Sequence, residues 1–337
     1  MLDNVYLFIF GLILLIKGGD WFVDSATSIA RKFKLPELLI GATVVSIGTT
    51  LPEVMVSATA AFDGNGGMAY GNAIGSIICN TALIAAITIA IKPGKIDRKT
   101  MILPVSFFFI AATIYLVAAY VFGEFSRITG IILLALFVCY MTFTVVAMLK
   151  SKDKGEEKLE IKENEKDGEE EETMPLWKSI PMLVVGAAVI AIGSTLLVDN
   201  GTIIATELNV PTTVISLTFV ALGTSLPELV TAITSLAKGH GALSLGNIIG
   251  ANLFNLVLVS GVATTIYPFS VPAESTIGNT PASLIIDFPV MLAVMLVLTV
   301  PALIRNKLSR VQGIALLAIY AAFCAVQFIL PSLLNAA

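Results

Sequence analysis

Long apolar stretches alternate with short polar connections along most of the chain. Residues 6–16, 101–122 and 131–149 are clear examples. About 20 predominantly apolar residues cross the hydrocarbon of a bilayer as an α-helix, and lipid offers no partners for an open backbone. The pattern therefore predicts an all-α polytopic membrane protein with ten transmembrane helices. The predicted spans are residues 4–30, 36–62, 68–91, 101–121, 127–149, 177–206, 211–236, 243–265, 283–304 and 310–331.

One polar segment interrupts this pattern. Residues 151–173 consist almost entirely of Lys, Glu, Asp, Gly and Asn, a composition too polar to form a packed core. The chain is therefore predicted to comprise a first five-helix repeat at 1–149, an acidic cytoplasmic linker at 150–176 and a second, inverted five-helix repeat at 177–337. A calcium-sensing segment is the alternative interpretation of the linker, although its acidic residues lack EF-hand spacing.

The two apolar halves repeat one another without gaps at an offset of 175 residues. GTTLPE at 48–53 matches GTSLPE at 223–228, and GNAIG at 71–75 matches GNIIG at 246–250. Because each half has an odd number of predicted spans, the second half enters the membrane from the opposite side. This arrangement is an inverted-topology repeat, which is common in secondary transporters. It places equivalent segments face to face near the midplane and provides two related conformations, one open to each side.

Composition and charge support a membrane protein and indicate its orientation. The chain is 56% hydrophobic and 13% charged, whereas soluble domains carry about a quarter charged residues. All but Lys17 and Arg127 of the 20 basic residues fall in loops on one side of the predicted topology. Basic loops stay in the cytoplasm, so both termini are predicted outside a plasma membrane. The lipid bilayer is an expected partner, a monomer is the expected functional unit, and the net charge of −4 gives no indication of nucleic-acid binding.

Two ionisable carboxylates, Glu53 and Glu228, lie deep within predicted spans. A charge at membrane depth is costly unless it has a partner or a function, and neither motif contains a basic residue. Pro52 and Pro227 each remove a backbone N–H just before the glutamate, which predicts discontinuous helices with exposed carbonyl oxygens. Carboxylates, carbonyls and hydroxyls are hard ligands that suit Ca²⁺ and Na⁺. The hydroxyls of the two motifs are Thr49, Thr50, Thr224 and Ser225.

A second polar set follows each glutamate motif on the next predicted span. Its members are four residues apart, so that each set forms one stripe of a helix. The stripes are predicted to face the interrupted helices and to complete an oxygen cage, and the neighbouring glycines to allow close helix approach. The two stripes are Asn72, Ser76 and Asn80, and Asn247, Ala251 and Asn255; the glycines are Gly71, Gly75, Gly246 and Gly250.

Four other charged residues within spans have local interpretations. Lys17 and Asp20 are three residues apart on one predicted helix and are expected to neutralise each other. Asp24 and Asp199 are related by the repeat and are expected to cap or brace helices near span ends.

The single histidine argues against imidazole chemistry, and the three cysteines, which lie in apolar runs, do not have the spacing of a zinc motif.

The paired glutamate motifs resemble the α-repeats of the cation/calcium exchanger superfamily, particularly its prokaryotic sodium/calcium exchangers. The resemblance implies that Glu53 and Glu228 bind Ca²⁺ with the backbone carbonyls of Thr49 and Thr224. It also implies sodium sites that share both glutamates, with Asn80 and Asn255 lining the centre. The further ligands implied for sodium are the carbonyls of Ser46 and Ala221 and the hydroxyls of Thr50, Ser225 and Ser76.

The expected function is secondary active antiport of Na⁺ for Ca²⁺ by alternating access at a shared midplane site, with no cofactor and no catalytic residue. Ala251 and Asn255 stand where relatives often carry serine and aspartate, which leaves the sodium stoichiometry open. A H⁺/Ca²⁺ or K⁺-assisted antiporter of the same fold is the first alternative. A cation channel is a second, and an intramembrane enzyme is disfavoured because no Ser/His or Cys/His pair is present.

Overall fold

Helices make up nearly all of the part of the chain that the structure describes. This computed structural model describes residues 2–33, 37–154, 174–207, 223, 225–273, 276–277 and 279–334. The α-helices are α1 (Leu2–Phe33), α2 (Glu37–Ile40), α3 (Ser46–Phe62), α4 (Gly66–Cys79), α5 (Ala86–Ile91), α6 (Arg98–Val117), α7 (Arg127–Lys154), α8 (Leu176–Glu207), α9 (Leu226–Ala237), α10 (Gly241–Phe254), α11 (Ser260–Ile266), α12 (Phe288–Arg305) and α13 (Arg310–Leu334).

Five π-helical segments and four two-residue strands complete the described elements. The π-helices are π1 (Gly41–Val45), π2 (Asn80–Ala85), π3 (Ala118–Phe122), π4 (Asn255–Val259) and π5 (Ser283–Asp287), and the strands are β1 (Glu124–Phe125), β2 (Phe269–Ser270), β3 (Thr276–Ile277) and β4 (Thr280–Pro281). A π-turn inserts one extra residue per turn and often marks a functional position in a longer helix.

Nine helical segments among the described residues are long and apolar enough to cross a membrane. They match every predicted span except the seventh, 211–236, of which the structure describes only residue 223 and residues 225 onwards, including the 12-residue helix α9. The prediction of an all-α polytopic membrane protein is therefore confirmed, whereas the count of ten remains a prediction. The nine segments are Asp3–Phe33, Leu38–Phe62, Gly66–Ile91, Arg98–Phe122, Arg127–Ala147, Leu176–Gly193, Gly241–Ile266, Ser283–Arg305 and Arg310–Gln327.

The first helices of the two halves, α1 and α8, pack side by side in opposite directions. A Cβ on Gly18 would lie 2.9 Å from the backbone N of Ile190, and one on Gly193 would lie 2.8 Å from the carbonyl oxygen of Gly11. Glycine is required at these contacts because the two backbones touch. Gly11 and Gly18 are the repeat equivalents of Gly186 and Gly193, so the antiparallel contact joins equivalent surfaces of the two helices.

The helix that carries the second GN motif, α10, lies at the centre of the bundle. Most residues of its span, Gly241–Ile266, are buried by protein. It packs backbone to backbone against α2 and π1: a Cβ on Gly41 would lie 2.7 Å from the backbone N of Asn247, and one on Gly250 would lie 2.6 Å from the Cα of Ala42. The predicted close approach at Gly250 is therefore confirmed.

The close approach is confirmed at Gly246 as well but not at the equivalent glycines of the first half. A Cβ on Gly246 would collide with the Leu38 backbone. By contrast, a Cβ built on Gly71 or Gly75 would have no described atom within 4 Å beyond the backbone of its own helix. The sequence repeat therefore does not produce identical packing in the described parts of the two halves.

Backbone pairing ties connecting segments together at both ends of the bundle. At one end, β1 pairs antiparallel with β2, with Glu124 opposite Ser270. At the other, Lys95 pairs with Lys307, while buried Ile96 and Leu308 anchor these two loops in the core. These links connect the first half to the second through the segments next to α6 and α12.

Candidate ion-binding site

The two predicted acidic residues lie on helices that contact each other. Glu53 follows Pro52 within α3, and Glu228 lies in the first turn of α9. Both side chains are 0% exposed, and the charges of the two carboxylates act on each other. None of the four carboxylate oxygens has a hydrogen-bond partner among the described residues. Two like charges buried without a protein partner are strongly unfavourable, so this arrangement indicates a bound cation.

Four further buried side chains of the predicted site also have no hydrogen-bond partner in the described protein. They are the hydroxyls of Thr50 and Ser225 and the side-chain amides of Asn80 and Asn255. An unmet buried polar group costs about 1–3 kcal/mol, and native proteins contain few of them. Most of the buried unpartnered polar atoms in the described chain belong to these four residues and the two glutamates. Their coincidence is typical of a ligand site.

Asn80 and Asn255 share an unusual position in the backbone. Each is the first residue of a π-helical segment, π2 in the first half and π4 in the second. Both are fully buried. The π-turn that begins at each asparagine changes the rotation of the helix from that residue onwards. Regular helical spacing therefore does not predict which side of the helix faces the site at this point. The sequence places the two residues on a stripe but carries no evident signal for the π-turns.

The other two asparagines of the predicted stripes are braces within the protein. Asn72 donates from Nδ2 to the Glu53 carbonyl at 3.1 Å and to the Ser57 hydroxyl at 2.8 Å. Asn247 donates from Nδ2 to the Thr231 hydroxyl at 2.8 Å, and that hydroxyl contacts the Glu228 carbonyl at 3.0 Å. Each asparagine therefore holds the helical turn that follows the glutamate of its own half. The prediction that these two residues face the helices of the glutamates is confirmed, and their part in an oxygen cage stays a prediction.

Two residues in the first turn of α3, Ser46 and Thr49, connect this helix to the second half. The Thr49 hydroxyl donates to Asn247 Oδ1 at 3.1 Å and lies near the Glu228 carboxyl. The Ser46 hydroxyl lies 2.9 Å from the Asn247 carbonyl and 2.7 Å from the Gly41 carbonyl. The structure thus brings Ser46, Thr49 and Asn247 into one interface between α3 and α10.

Of the remaining predicted site residues, the structure describes Ser76 but not Thr224 or Ala221. Ser76 is buried on α4, at 3% exposure. Thr224 and Ala221 lie outside the described residues, as do the other residues of 208–222. The predicted discontinuity in the first half is wrong in position, because α3 runs unbroken from Ser46 to Phe62 through Pro52. The irregular turn is π1, which precedes the motif.

A further buried polar contact next to the site is absent from the sequence interpretation. Asn252 donates from Nδ2 to the Thr81 hydroxyl at 2.7 Å and to the Met295 sulfur at 3.3 Å. It joins α10 to π2 and α12, immediately beside the two π-turns. Asn252 lies outside the four-residue spacing of the predicted stripe, and only the packing of three helices reveals its partners.

The chemistry of the converging groups favours hard cations. The side chains are carboxylates, hydroxyls and amides, whose oxygens are the preferred ligands of Ca²⁺ and Na⁺. Among the described residues, no group of three or more His, Cys, Asp and Glu side chains is placed to hold a metal. Two carboxylates with neutral oxygens form a site of limited charge, which is suited to an ion that must also leave.

Comparison with known proteins identifies a family for this chain. The family model described as sodium/calcium exchanger protein matches residues 4–146 and 178–329. The sodium/calcium exchanger MaX1 of Methanosarcina acetivorans is 31% identical over 96% of this chain and 98% of its own length. The uncharacterized membrane protein MJ0091 of Methanocaldococcus jannaschii is 34% identical, over 93% of this chain and 94% of its own.

The fold is also similar to that of a solved exchanger. A structure of the sodium-calcium exchanger NCX_Mj, from a crystal soaked with Na⁺ and Ca²⁺, matches with a TM-score of 0.76 at 32% identity. The match covers 96% of this chain and 98% of that one.

Proposed function

This chain belongs to the sodium/calcium exchanger family, and we propose that it is a secondary antiporter that exchanges Na⁺ for Ca²⁺ by alternating access at one shared site. The site comprises Glu53 and Glu228 with the neutral groups that surround them. Both ions use the same two carboxylates, so that they exclude each other. The ions are the transported substrates, and no cofactor takes part.

The observation that carries this proposal is the pair of fully buried carboxylates without a hydrogen-bond partner among the described residues. One Ca²⁺ balances their combined charge, and monovalent cations can replace it in part. The unpartnered Asn80 and Asn255 amides and the Thr50 and Ser225 hydroxyls supply neutral oxygens that replace water around the ion. A site of this composition binds either cation without a permanent protein counter-charge.

Coupling follows from the cost of the ion-free site. A cavity closed around two ionised carboxylates without a cation pays their desolvation with no compensating attraction. The protein therefore changes conformation only with an ion bound, which prevents uncoupled movement. If the exchange carries net charge, the membrane potential contributes about 2.3 kcal/mol per charge per 100 mV.

Three observations support an inverted repeat as the basis of alternating access. The same family model matches both halves separately. The repeat-equivalent helices α1 and α8 pack antiparallel through equivalent glycines, as oppositely inserted halves require. Equivalent asparagines, Asn80 and Asn255, each begin a π-turn. In this proposal the halves are residues 1–149 and 177–337, with both termini outside the plasma membrane and the 150–176 linker in the cytoplasm.

Calcium flux in proteoliposomes tests the proposal. Purified protein is reconstituted into vesicles loaded with Na⁺ and diluted into Na⁺-free buffer with ⁴⁵Ca²⁺, at the same pH on both sides. We expect calcium uptake that requires the outward Na⁺ gradient and is lost when choline replaces internal Na⁺. Glu124→Gln, which removes an exposed carboxylate from β1, serves as a matched control and retains uptake.

The same vesicles distinguish the alternatives. Uptake driven by a pH gradient and indifferent to Na⁺ identifies a H⁺/Ca²⁺ antiporter. A requirement for K⁺ together with Na⁺ identifies the K⁺-assisted form. Calcium movement that needs no counter-ion, with a linear current, identifies a channel. Any of these results replaces Na⁺/Ca²⁺ exchange as the function of the site.

A further inference from the structure

An ion-pair cluster away from the glutamate site joins α1 to the end of α9. The Nζ of Lys238, the residue that follows α9, lies 2.8 Å from Asp24 Oδ1 and 3.2 Å from Asp20 Oδ1. The sequence predicts that Asp20 is neutralised by Lys17, but the structure pairs Asp20 with Lys238. The reason is tertiary, because α9 packs along α1 and brings the lysine to both carboxylates.

The environment of Lys238 keeps it charged. Partial burial lowers the pKa of Lys238, but hydrogen bonds and attraction from Asp24 and Asp20 outweigh this effect, so that the pKa lies above its ordinary value. The lysine side chain is 28% exposed. The attraction within the cluster depends on ionic strength, because its groups are partly exposed.

The cluster lies where the α1–α8 pair meets the helix that carries Glu228. A Cβ on Gly19 of α1 would lie 2.6 Å from Val230 Cγ1 of α9. Within the described residues, α1 packs along α9 more extensively than α8 packs along α3. The repeat makes these two contacts equivalent, so their inequality is expected of one of the two conformations that an inverted repeat provides.

The repeat also gives the residues that occupy the equivalent positions at the other end of the bundle. The offset of 175 relates Lys238 to Asp63 and Asp24 to Asp199. Asp63 directly follows α3, as Lys238 directly follows α9. When α8 takes the position on α3 that α1 has on α9, Asp63 faces Asp199, and two like charges meet. An attractive cluster at one end therefore has a repulsive counterpart at the other.

We propose that Lys238 is a positioning residue that forms a one-sided electrostatic latch with Asp20 and Asp24. The latch stabilises the conformation described here, in which α1 packs along α9. Repulsion between Asp63 and Asp199 destabilises the other conformation, in which α8 packs along α3. The inference rests on the proposed alternating access. It assigns the unequal stability of the two conformations to charges that differ between otherwise equivalent positions of the two halves.

The distance between α1 and β1, a strand that pairs with the other half, tests the latch. Spin labels are attached to cysteines at Asp3 on α1 and Glu124 on β1, both exposed, in full-length protein whose three native cysteines are replaced. The distance distribution reports the populations of the two conformations. We expect Lys238→Gln to increase the population of the less common conformation relative to the more common one by about threefold, as loss of a partly exposed ion pair allows. Asp63→Lys is expected to produce a shift in the same direction, because it creates attraction to Asp199 in the opposite conformation.

Two controls distinguish an effect on the equilibrium between the two conformations from an effect on overall stability. Lys92→Gln removes an exposed lysine from another loop and is expected to leave the distance distribution unchanged. The exchange of charges in Lys238→Asp with Asp24→Lys restores an attractive pair and is expected to return the distribution toward that of the parent protein. If Lys238→Gln only lowers the unfolding temperature, and neither it nor Asp63→Lys alters the distribution, the latch is overturned.

Flux measurements on the same variants keep this inference separate from the proposed function. If the parent protein shows no Na⁺-driven calcium uptake but the variants shift the distances as expected, the transport proposal fails and the latch stands. If uptake is present and the distances do not respond to any of the charge changes, the latch fails and the transport proposal stands.

Discussion

The Thr49 hydroxyl of the first half donates a hydrogen bond to Asn247 Oδ1 of the second half, over 3.1 Å. The same asparagine donates to the Thr231 hydroxyl at 2.8 Å. One amide thus links α3, α10 and α9, the helices that carry or adjoin the two glutamates. Because both ends of this amide are bonded within the protein, Asn247 orients the site and is not free to move to an ion.

Substitution of the bonded and unbonded asparagines of the second GN helix is expected to have opposite effects. Asn247→Leu leaves the Thr49 and Thr231 hydroxyls without this partner, and we expect the free energy of unfolding to fall by about 1–3 kcal/mol. Asn255→Leu removes an amide that has no partner in the described protein, so the ion-free stability is expected to stay equal or rise. Thermal unfolding in detergent without Ca²⁺ measures both.

The same pair of variants separates orientation from binding. We expect Asn255→Leu to weaken Ca²⁺ binding measured by isothermal titration, although the ion-free protein remains stable. If Asn255→Leu loses as much stability as Asn247→Leu, the Asn255 amide has a structural role in the ion-free protein, and its assignment as an ion ligand is wrong.

Neutralisation of either glutamate is expected to abolish calcium exchange while preserving the fold. Glu53→Gln and Glu228→Gln each remove one of two buried, mutually repelling charges. The ion-free protein is then expected to unfold at a higher temperature, by the equivalent of about 1–3 kcal/mol. Flux assays and thermal unfolding of the same preparations provide the measurement, with Glu124→Gln as the control. Full exchange in either variant contradicts the role of that glutamate.

Removal of calcium is expected to destabilise the protein through the same two residues. A ligand that binds only the folded state stabilises it by about 2.7 kcal/mol at a concentration 100 times its dissociation constant. We therefore expect chelation of Ca²⁺ to lower the unfolding temperature and Ca²⁺ to restore it. Glu53→Gln is expected to lose this response. A response that is unchanged in Glu53→Gln indicates that the stabilising calcium binds elsewhere.

The contact between α10 and π1 is expected to require glycine at position 250. Gly250→Ala places a Cβ 2.6 Å from the Cα of Ala42, and backbone atoms cannot move aside as a flexible side chain can. We expect a loss of about 1–3 kcal/mol of stability, typical of overpacking, together with reduced exchange. Gly241→Ala, on the same helix but with no described atom within 4 Å of its Cβ beyond the backbone of that helix, is the control. Equal behaviour of the two variants argues against this close contact.

The sequence by itself determined the membrane class, the approximate limits of nine described spans and the repeat register. It also selected the two glutamates that the structure places on contacting helices. These follow from local properties, because hydrophobic length fixes where a helix can span and an ionisable group at membrane depth requires a partner wherever the helix lies.

Only the tertiary structure decided the roles of the remaining polar residues. Asn72 and Asn247 have the same spacing pattern as Asn80 and Asn255, yet the first two are bonded to neighbouring helices and the last two are not. Likewise, Asp20 has a possible partner on its own helix but pairs with Lys238. These outcomes depend on π-turns, helix rotation and contacts between residues far apart in the chain, which a pattern of residue types along one helix does not contain.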